Sequence, residues 1–524
     1  MTRPFISASC LLPLLLVFHV AQGQEPANPD SALIEIVRTL PGTRLPLGTA
    51  TELALQNATS VRQAEAGYLA ASGVLRRERG FFDPELFASL DHFDDETPAA
   101  SFFAGASVLT TEQTFGSAGL RLNLPTGTQL EASLNTNALE TNSGFAFLNP
   151  QYTSFGSISL RQPLLGGLWV SGRKELNVAE SAFDAAEARY NQEILATRAD
   201  VERRYWDLYA AERNYAVQKL TRDRGQAFLK ETEFRASTGI VGPVAVANAR
   251  TFLAEQELLL IEREELLDLL SDDLASLMGE RPPTGETRFV TMEEPATEYP
   301  LEPVDSLVTW AMEENLDLFA AEQDVEGIRA LARAAGWEAL PQVDFVGSLG
   351  GNGLAGTPQD VIFGTDTLRT TRSGTMGDAL SQSTSREFPS WSVGIQVSIP
   401  IGLRSGLGEQ DRLEAEVMAA EQRKLEISRF IEQQVRANYR ELLHGNRRIE
   451  VAREGVDAAS EQVRIGVIDF RNGRTTAFEL VRLGADFAVA SERYSRALVR
   501  TARAAATLTQ LTSGRYPASP TENR

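Results

Sequence analysis

The chain punctuates itself in the same way twice. Pro84 and Pro341, each closing a helical stretch and opening an alternating one, lie 257 residues apart, and Pro163 and Pro400, at the ends of later alternating stretches, lie 237 apart. Gly239 and Gly473, which interrupt long helical patterns, are 234 apart, and Gly279 and Gly514, where the return patterns stop, are 235 apart. A near-constant offset through the helical part means an internal duplication. Any fold for this chain must therefore accommodate two similar units, residues 48–279 and 303–514, joined by a connector over 280–302.

The ends of the chain bear on where such a unit works. Arg3, an apolar run from Leu11 to Val20 and the small residues Ala21-Gln22-Gly23 predict a secretory signal over residues 1–23. Cys10, the only cysteine, falls inside that segment, so the exported chain is expected to hold together without disulfides. Residues 24–47, with Pro26, Pro29, Pro41 and Pro46, read as an extended arm, and residues 515–524 as a disordered tail. With 50 basic and 71 acidic residues the net charge is −21, which repels nucleic acid. No apolar run after residue 23 reaches the roughly 18 residues of a membrane-crossing helix, so entry into a membrane would have to use strands.

Strand patterns occupy about 84–165 in the first unit and about 341–351 and 389–401 in the second. The clearest is Trp391-Ser392-Val393-Gly394-Ile395-Gln396-Val397-Ser398-Ile399, where every odd-numbered residue is large and apolar and every even-numbered one small or polar. Leu86, Ala88 and Leu90 alternate with Phe87, Ser89 and Asp91, and Leu120 and Leu122, and Leu130, Ala132 and Leu134, alternate with polar neighbours. Such strands fit a soluble sandwich or an outer-membrane barrel; segments of about ten residues with a polar face, in an exported chain, favour the barrel. The first unit has an extra segment of about 20 residues near 115–137, either a further hairpin or an outer loop. Four to six strands fall short of the roughly eight that close the smallest barrel, so one chain cannot make a pore alone.

Long helices are expected over about 170–237 and 243–279, and again over about 407–470 and 475–513. The first of them would span roughly 100 Å at about 1.5 Å per residue. Val435, Leu442, Ile449, Val456, Val463 and Phe470 recur every seven residues, the spacing of left-handed coiled-coil packing. Four positions before each stand Ile431, Asn438, Gly445, Ala452, Ala459 and Gly466, mostly small enough to let helices approach closely. Periodicity alone fits a helical tube and an ordinary antiparallel coiled coil equally.

Catalytic signals are missing. His92 and His444 stand without paired ligands at metal spacing, and no nucleophile motif or phosphate loop occurs, so neither an enzyme nor a metal or cofactor site is expected. Gly351-Asn-Gly353-Leu-Ala-Gly356 has the letters of a dinucleotide fingerprint, but Thr357-Pro358 and a Ser/Thr-rich run follow where a helix should start. It reads as a mobile loop between strands.

Taken in order, Val304-Asp305-Ser306-Leu307, Ala339-Leu340-Pro341-Gln342-Val343-Asp344, Trp391-Ser392-Val393-Gly394 running to Pro400, and Gln162-Pro163-Leu164-Leu165 resemble the outer-membrane efflux protein family of TolC-like channels. The resemblance covers about Gly48 to Gly514. It implies an α+β, mostly α fold. A duplicated helix-strand-strand-helix-helix unit would form part of a trimeric outer-membrane β-barrel and of a long periplasmic α-helical coiled-coil barrel. It also implies a homotrimer in outer-membrane lipid, extending into the periplasm, with a periplasmic adaptor and an inner-membrane transporter as partners. The expected function is a passive exit duct of a tripartite efflux pump or type I secretion system; the competing expectation is a soluble periplasmic coiled-coil protein. By position, Gly239, Ile240 and Val241, and Asn472, Gly473, Arg474 and Thr475, match the family's adaptor-docking helix tips. Glu479 matches a pore-constricting acidic position, where three carboxylates would gather cations. Arg482 departs from the pattern by standing where a second acid is expected, and an ion pair with Glu479 would instead latch the closed state.

Overall fold

The computed structural model describes residues 29–100, 104–472 and 474–516. The expected signal segment, Gly473 and residues 517–524 lie outside the described residues. In chain order the first half holds α1 (Pro29–Arg38), β1 (Thr43–Leu45), α2 (Leu47–Asn57), α3 (Thr59–Gly80), β2 (Glu85–Pro98), β3 (Val108–Asn123), β4 (Gln129–Thr141), β5 (Leu148–Leu165), α4 (Trp169–Gly172), α5 (Lys174–Ser237) and α6 (Pro243–Met278). The second holds β6 (Phe289–Thr291), α7 (Val304–Glu314), α8 (Leu316–Glu338), β7 (Gln342–Pro358), β8 (Val361–Phe363), β9 (Asp366–Leu368), α9 (Met376–Thr384), β10 (Phe388–Ser398), α10 (Arg404–Arg471) and α11 (Ala477–Leu511). The duplication is visible in the ends of the long helices: α5 and α10 stop 234 residues apart, and α6 and α11 start 234 apart. The chain divides into two compact units.

One unit contains the sheet. Its six strands run in the order β10-β7-β5-β4-β3-β2, every pair antiparallel. The segment near 115–137 belongs to β3 and β4, a hairpin turned at Gly127 with φ 83°, so the first repeat contributes four strands and the second two. Register aligns the alternation across the whole sheet. Leu86 lies opposite Leu120, then Ala132, Ile158, Leu349 and Trp391 follow in one row, and Leu122, Leu130, Leu160, Gly347 and Val393 form the next. This side is bare: Leu86 is 81% exposed, Ile158 61% and Trp391 73%. The other side carries the ion pairs and hydroxyls, with Phe87, Phe93, Phe115 and Phe155 among them. Arg121 bridges Glu85 at 3.5 Å and Glu131 at 3.1 Å, Arg161 holds buried Asp344 at 2.5 Å, and serine hydroxyls pair across strands at Ser89 and Ser117, Ser133 and Ser157, and Ser348 and Ser392.

The other unit contains the ends of the long helices and a small parallel ladder of β1 on β6. Ala459, Val463 and Phe487 form a cluster in it, with Leu220, Val456, Val467 and Leu483 packed around them. Burying a side chain of the Leu, Val or Phe class contributes about 1.5–3 kcal/mol, so such clusters supply most of the drive for helix pairing. The seven-residue row is the packed face, with Leu442, Ile449 and Val463 all buried. Its small-residue companions are seats: a side chain on Gly445 would run into Thr501 of α11, and one on Gly466 into Leu483.

Four boundaries differ from the sequence reading. Residues 24–47 are not an extended arm throughout, because Leu33 is buried against Ala216 and Val217 with Ile36 and Val37 beside it, and α1 forms to present them. The connector over 280–302 is not merely a link, since Phe289, Val290 and Thr291 form the buried strand β6. The tail is ordered through Tyr516, whose buried ring sends its hydroxyl to the Pro300 carbonyl at 2.9 Å, while Arg515 pairs with Glu314 and stacks on Trp310. Gly351, Gly353 and Gly356 lie within β7, paired to β5, and not in a loop.

Candidate functional site: the helix tips

The two turns between long helices share an equivalent closing bond. Gly239, at φ 77°, lets its own N–H reach the Ala236 carbonyl at 3.0 Å and the Ile240 N–H reach the Arg235 carbonyl at 2.9 Å. These are the two bonds of a left-handed helix cap, which glycine adopts without a Cβ penalty. In the second turn Arg474 N–H reaches the Asp469 carbonyl at 2.8 Å, the counterpart of the Ile240 bond 234 residues earlier. Restart differs between copies. Gly242 and Pro243 begin α6, proline occupying a first-turn position that needs no N–H. Before α11, Thr476 takes the capping role, its hydroxyl accepting the Glu479 N–H at 3.2 Å.

Glu479 thus stands in the first turn of α11, where the helix dipole favours a carboxylate. Arg482 grips it with two bonds, Nη2 to Oε1 at 2.5 Å and Nε to Oε2 at 3.1 Å, and this pairing holds the guanidinium further above its ordinary range. Both side chains keep substantial exposure, 60% for Arg482 and 38% for Glu479, so the pair is accessible to solvent and partners. Ala245 occupies the equivalent position of the first copy, so the duplication does not repeat this carboxylate. Of the other sequence-predicted residues, Ile240 is 70% exposed, Val241 and Thr475 are half-buried, and Asn472 and Arg474 are exposed.

Sequence reasoning missed three features of this unit. Phe234, Val244 and Phe478 join Ile240 as apolar side chains left in solvent at the turns; two aromatic residues within a few positions of glycine-marked turns were the available signal. Half-buried Arg224 has no hydrogen-bond partner at Nη1, and Gly484 of α11 lies against it. Glu212 is buried on α5 and accepts the Thr291 N–H at 2.7 Å and the Thr291 hydroxyl at 2.6 Å. Burial pushes its carboxyl up to about 7. Beside it the Tyr205 hydroxyl accepts the Met292 N–H at 2.8 Å and shares its proton between the Leu45 carbonyl and the Glu293 carboxylate, which also takes the Leu47 N–H. Polar side chains thus stitch β1 and β6 to α5 where backbone pairing is only three residues long.

The same repeats carry the sequence signature of a family. Residues 127–280 and 307–514 match the model of the outer membrane efflux protein family. The chain belongs to that family. As an outer membrane efflux protein it resides in the outer membrane and extends into the periplasm. Its fold is similar to that of the CmeC outer membrane channel of Campylobacter jejuni, with 15% identity, a TM-score of 0.61, and 90% of this chain covered against 86% of that one. VceC of Vibrio cholerae gives 14% identity and 0.61, covering 90% and 96%. The open state of MtrE from Neisseria gonorrhoeae gives 15% and 0.60, covering 89% of each chain. No curated protein sequence matches the chain.

Proposed function

We propose that this efflux protein is a passive homotrimeric duct, the outer-membrane exit of a tripartite efflux pump or type I secretion system, opened at its tips by a periplasmic adaptor that links it to an inner-membrane transporter. The observation that carries the reading is the open six-stranded sheet. One side presents unbroken apolar rows to solvent, the other presents ion pairs and hydroxyls, and among the described residues neither β2 nor β10 has a further neighbour. Six strands are too few to close a barrel of about eight, whereas three copies joined β2 to β10 would supply eighteen with lipid outside and water inside. A soluble periplasmic protein would have no partner for those exposed rows.

At the tips, three Glu479–Arg482 pairs would ring the periplasmic mouth, and the exposed Phe234, Ile240, Val244 and Phe478 would offer the adaptor an apolar contact. The mechanism needs no chemistry. Adaptor binding would favour an arrangement in which the tips separate, and cargo would move by diffusion under the transporter's drive. Planar-bilayer recording of the purified chain tests this: discrete conducting steps are expected, with longer openings once the adaptor is added. Recovery in the soluble periplasmic fraction with no conductance would overturn it.

A further inference from the structure

The glycine motif of β7 has a use that is neither nucleotide binding nor a loop. Gly351 and Gly353 share the side of the sheet that carries Leu349 and Trp391, and the space their side chains would fill is taken by the backbone of α9, at the Ser383 and Ala379 carbonyls. The helix is tied there by the Ser154 hydroxyl, which donates to the Ala379 carbonyl at 2.5 Å, and by the Gln382 side-chain oxygen, which accepts the Leu354 N–H at 3.0 Å. A Thr375–Asp378 capping box fixes its start. Ala379 and Ser383 are buried against the sheet, while the outward face consists of Gly377, Asp378, Ser381, Thr384 and Ser385, with no large apolar side chain.

A second change of character lies on the same side of the sheet, further along β2, β3 and β4. Above Leu86 and Leu90, Asp94, Glu112 and Glu140 stand directly opposite one another, with His92 hydrogen-bonded to Thr114 beneath them. Like charges so placed repel, and charge in hydrocarbon is costly, so this row must lie in a wet layer. Two independent features on different strands therefore end the apolar band towards the same edge.

We propose that α9 is a surface helix lying in the polar headgroup layer of the bilayer, its hydroxyl-bearing face directed at lipid headgroups, so that it sets the outer limit of hydrocarbon contact. This rests on the reading that the apolar side of the sheet faces lipid, and the test separates the two. Single cysteines replace Ser381 and, in a second variant, Ile395, both with Cys10→Ser, and each is spin-labelled in vesicles of phosphatidylcholine and phosphatidylglycerol. A small fraction of the lipid carries a nickel-chelating headgroup. The Ile395→Cys label is expected to collide mainly with oxygen, and the Ser381→Cys label to be relaxed by the lipid-borne nickel, inverting the ratio between the two sites. Gly353→Val in the Ser381→Cys chain should unseat α9 and reduce that relaxation. An Ile395→Cys label open to soluble nickel would overturn the lipid-facing reading itself. With that label in hydrocarbon, oxygen-dominated collisions at Ser381→Cys, or relaxation by soluble nickel only, would overturn the placement of α9; Thr384→Cys repeats the measurement one turn along.

Discussion

Single residues in this protein do unequal work in the two copies. Glu479 and Arg482 have no charged counterparts at Ala245 and Asn248, so the ion pair gives the tips a feature the duplication does not. Arg482→Ala is expected to lengthen conducting events in bilayer recordings if the ion pair latches the closed tips as proposed, and Glu479→Gln to lower cation over anion permeability as well; unchanged gating in both would remove the pair from the proposed mechanism. Glu212 provides a pH test. Its carboxyl is raised to about 7 in the folded chain against an ordinary 4.5, so between those values the folded state holds more protons than the unfolded one. Stability from this group is full below the lower value and is lost as pH rises through 7, by an amount on the order of 3 kcal/mol. Thermal melts should show a higher midpoint at pH 5 than at pH 8, and Glu212→Gln should flatten the difference. The tip glycine was legible because a left-handed cap has few alternatives to glycine; Glu212 was not, since a buried glutamate on a long helix has the same local pattern as a solvated one.

Elements show which patterns a sequence can reveal. The odd positions of β10 and the seven-residue row of α10 were readable, because each repeats a period set by its own backbone over many residues. The β1–β6 ladder was not, since two three-residue segments 246 residues apart have no period to read. Nor was α9 on β7, where a strand built from glycines resembles a loop until the helix seated on it is seen. Two predictions belong here. Gly445→Val should press on Thr501 and cost about 1–3 kcal/mol, seen as a lower melting temperature with unchanged helix content at low temperature. Ile158→Arg places a charge in the middle of the apolar row and should cost about 2–4 kcal/mol in folding titrations into vesicles. An Ile158→Arg cost near zero would move that row out of hydrocarbon.

At the level of the whole molecule, duplication and incompleteness belong together. Each chain supplies four strands from one repeat and two from the other, with paired long helices from both, so three chains would surround an axis with six similar helical units. Closed symmetric assembly removes the exposed sheet edges that would otherwise invite aggregation. In the proposed trimer the extra hairpin of the first repeat would raise the strand supply to eighteen, and with it the width of the barrel. The central claim is that the pore exists only in the trimer, and native mass spectrometry of the chain released from lipid nanodiscs, with conductance recorded on the same preparation, tests it most directly. Three copies per conducting particle is the predicted result; conducting particles of one or two copies would contradict it.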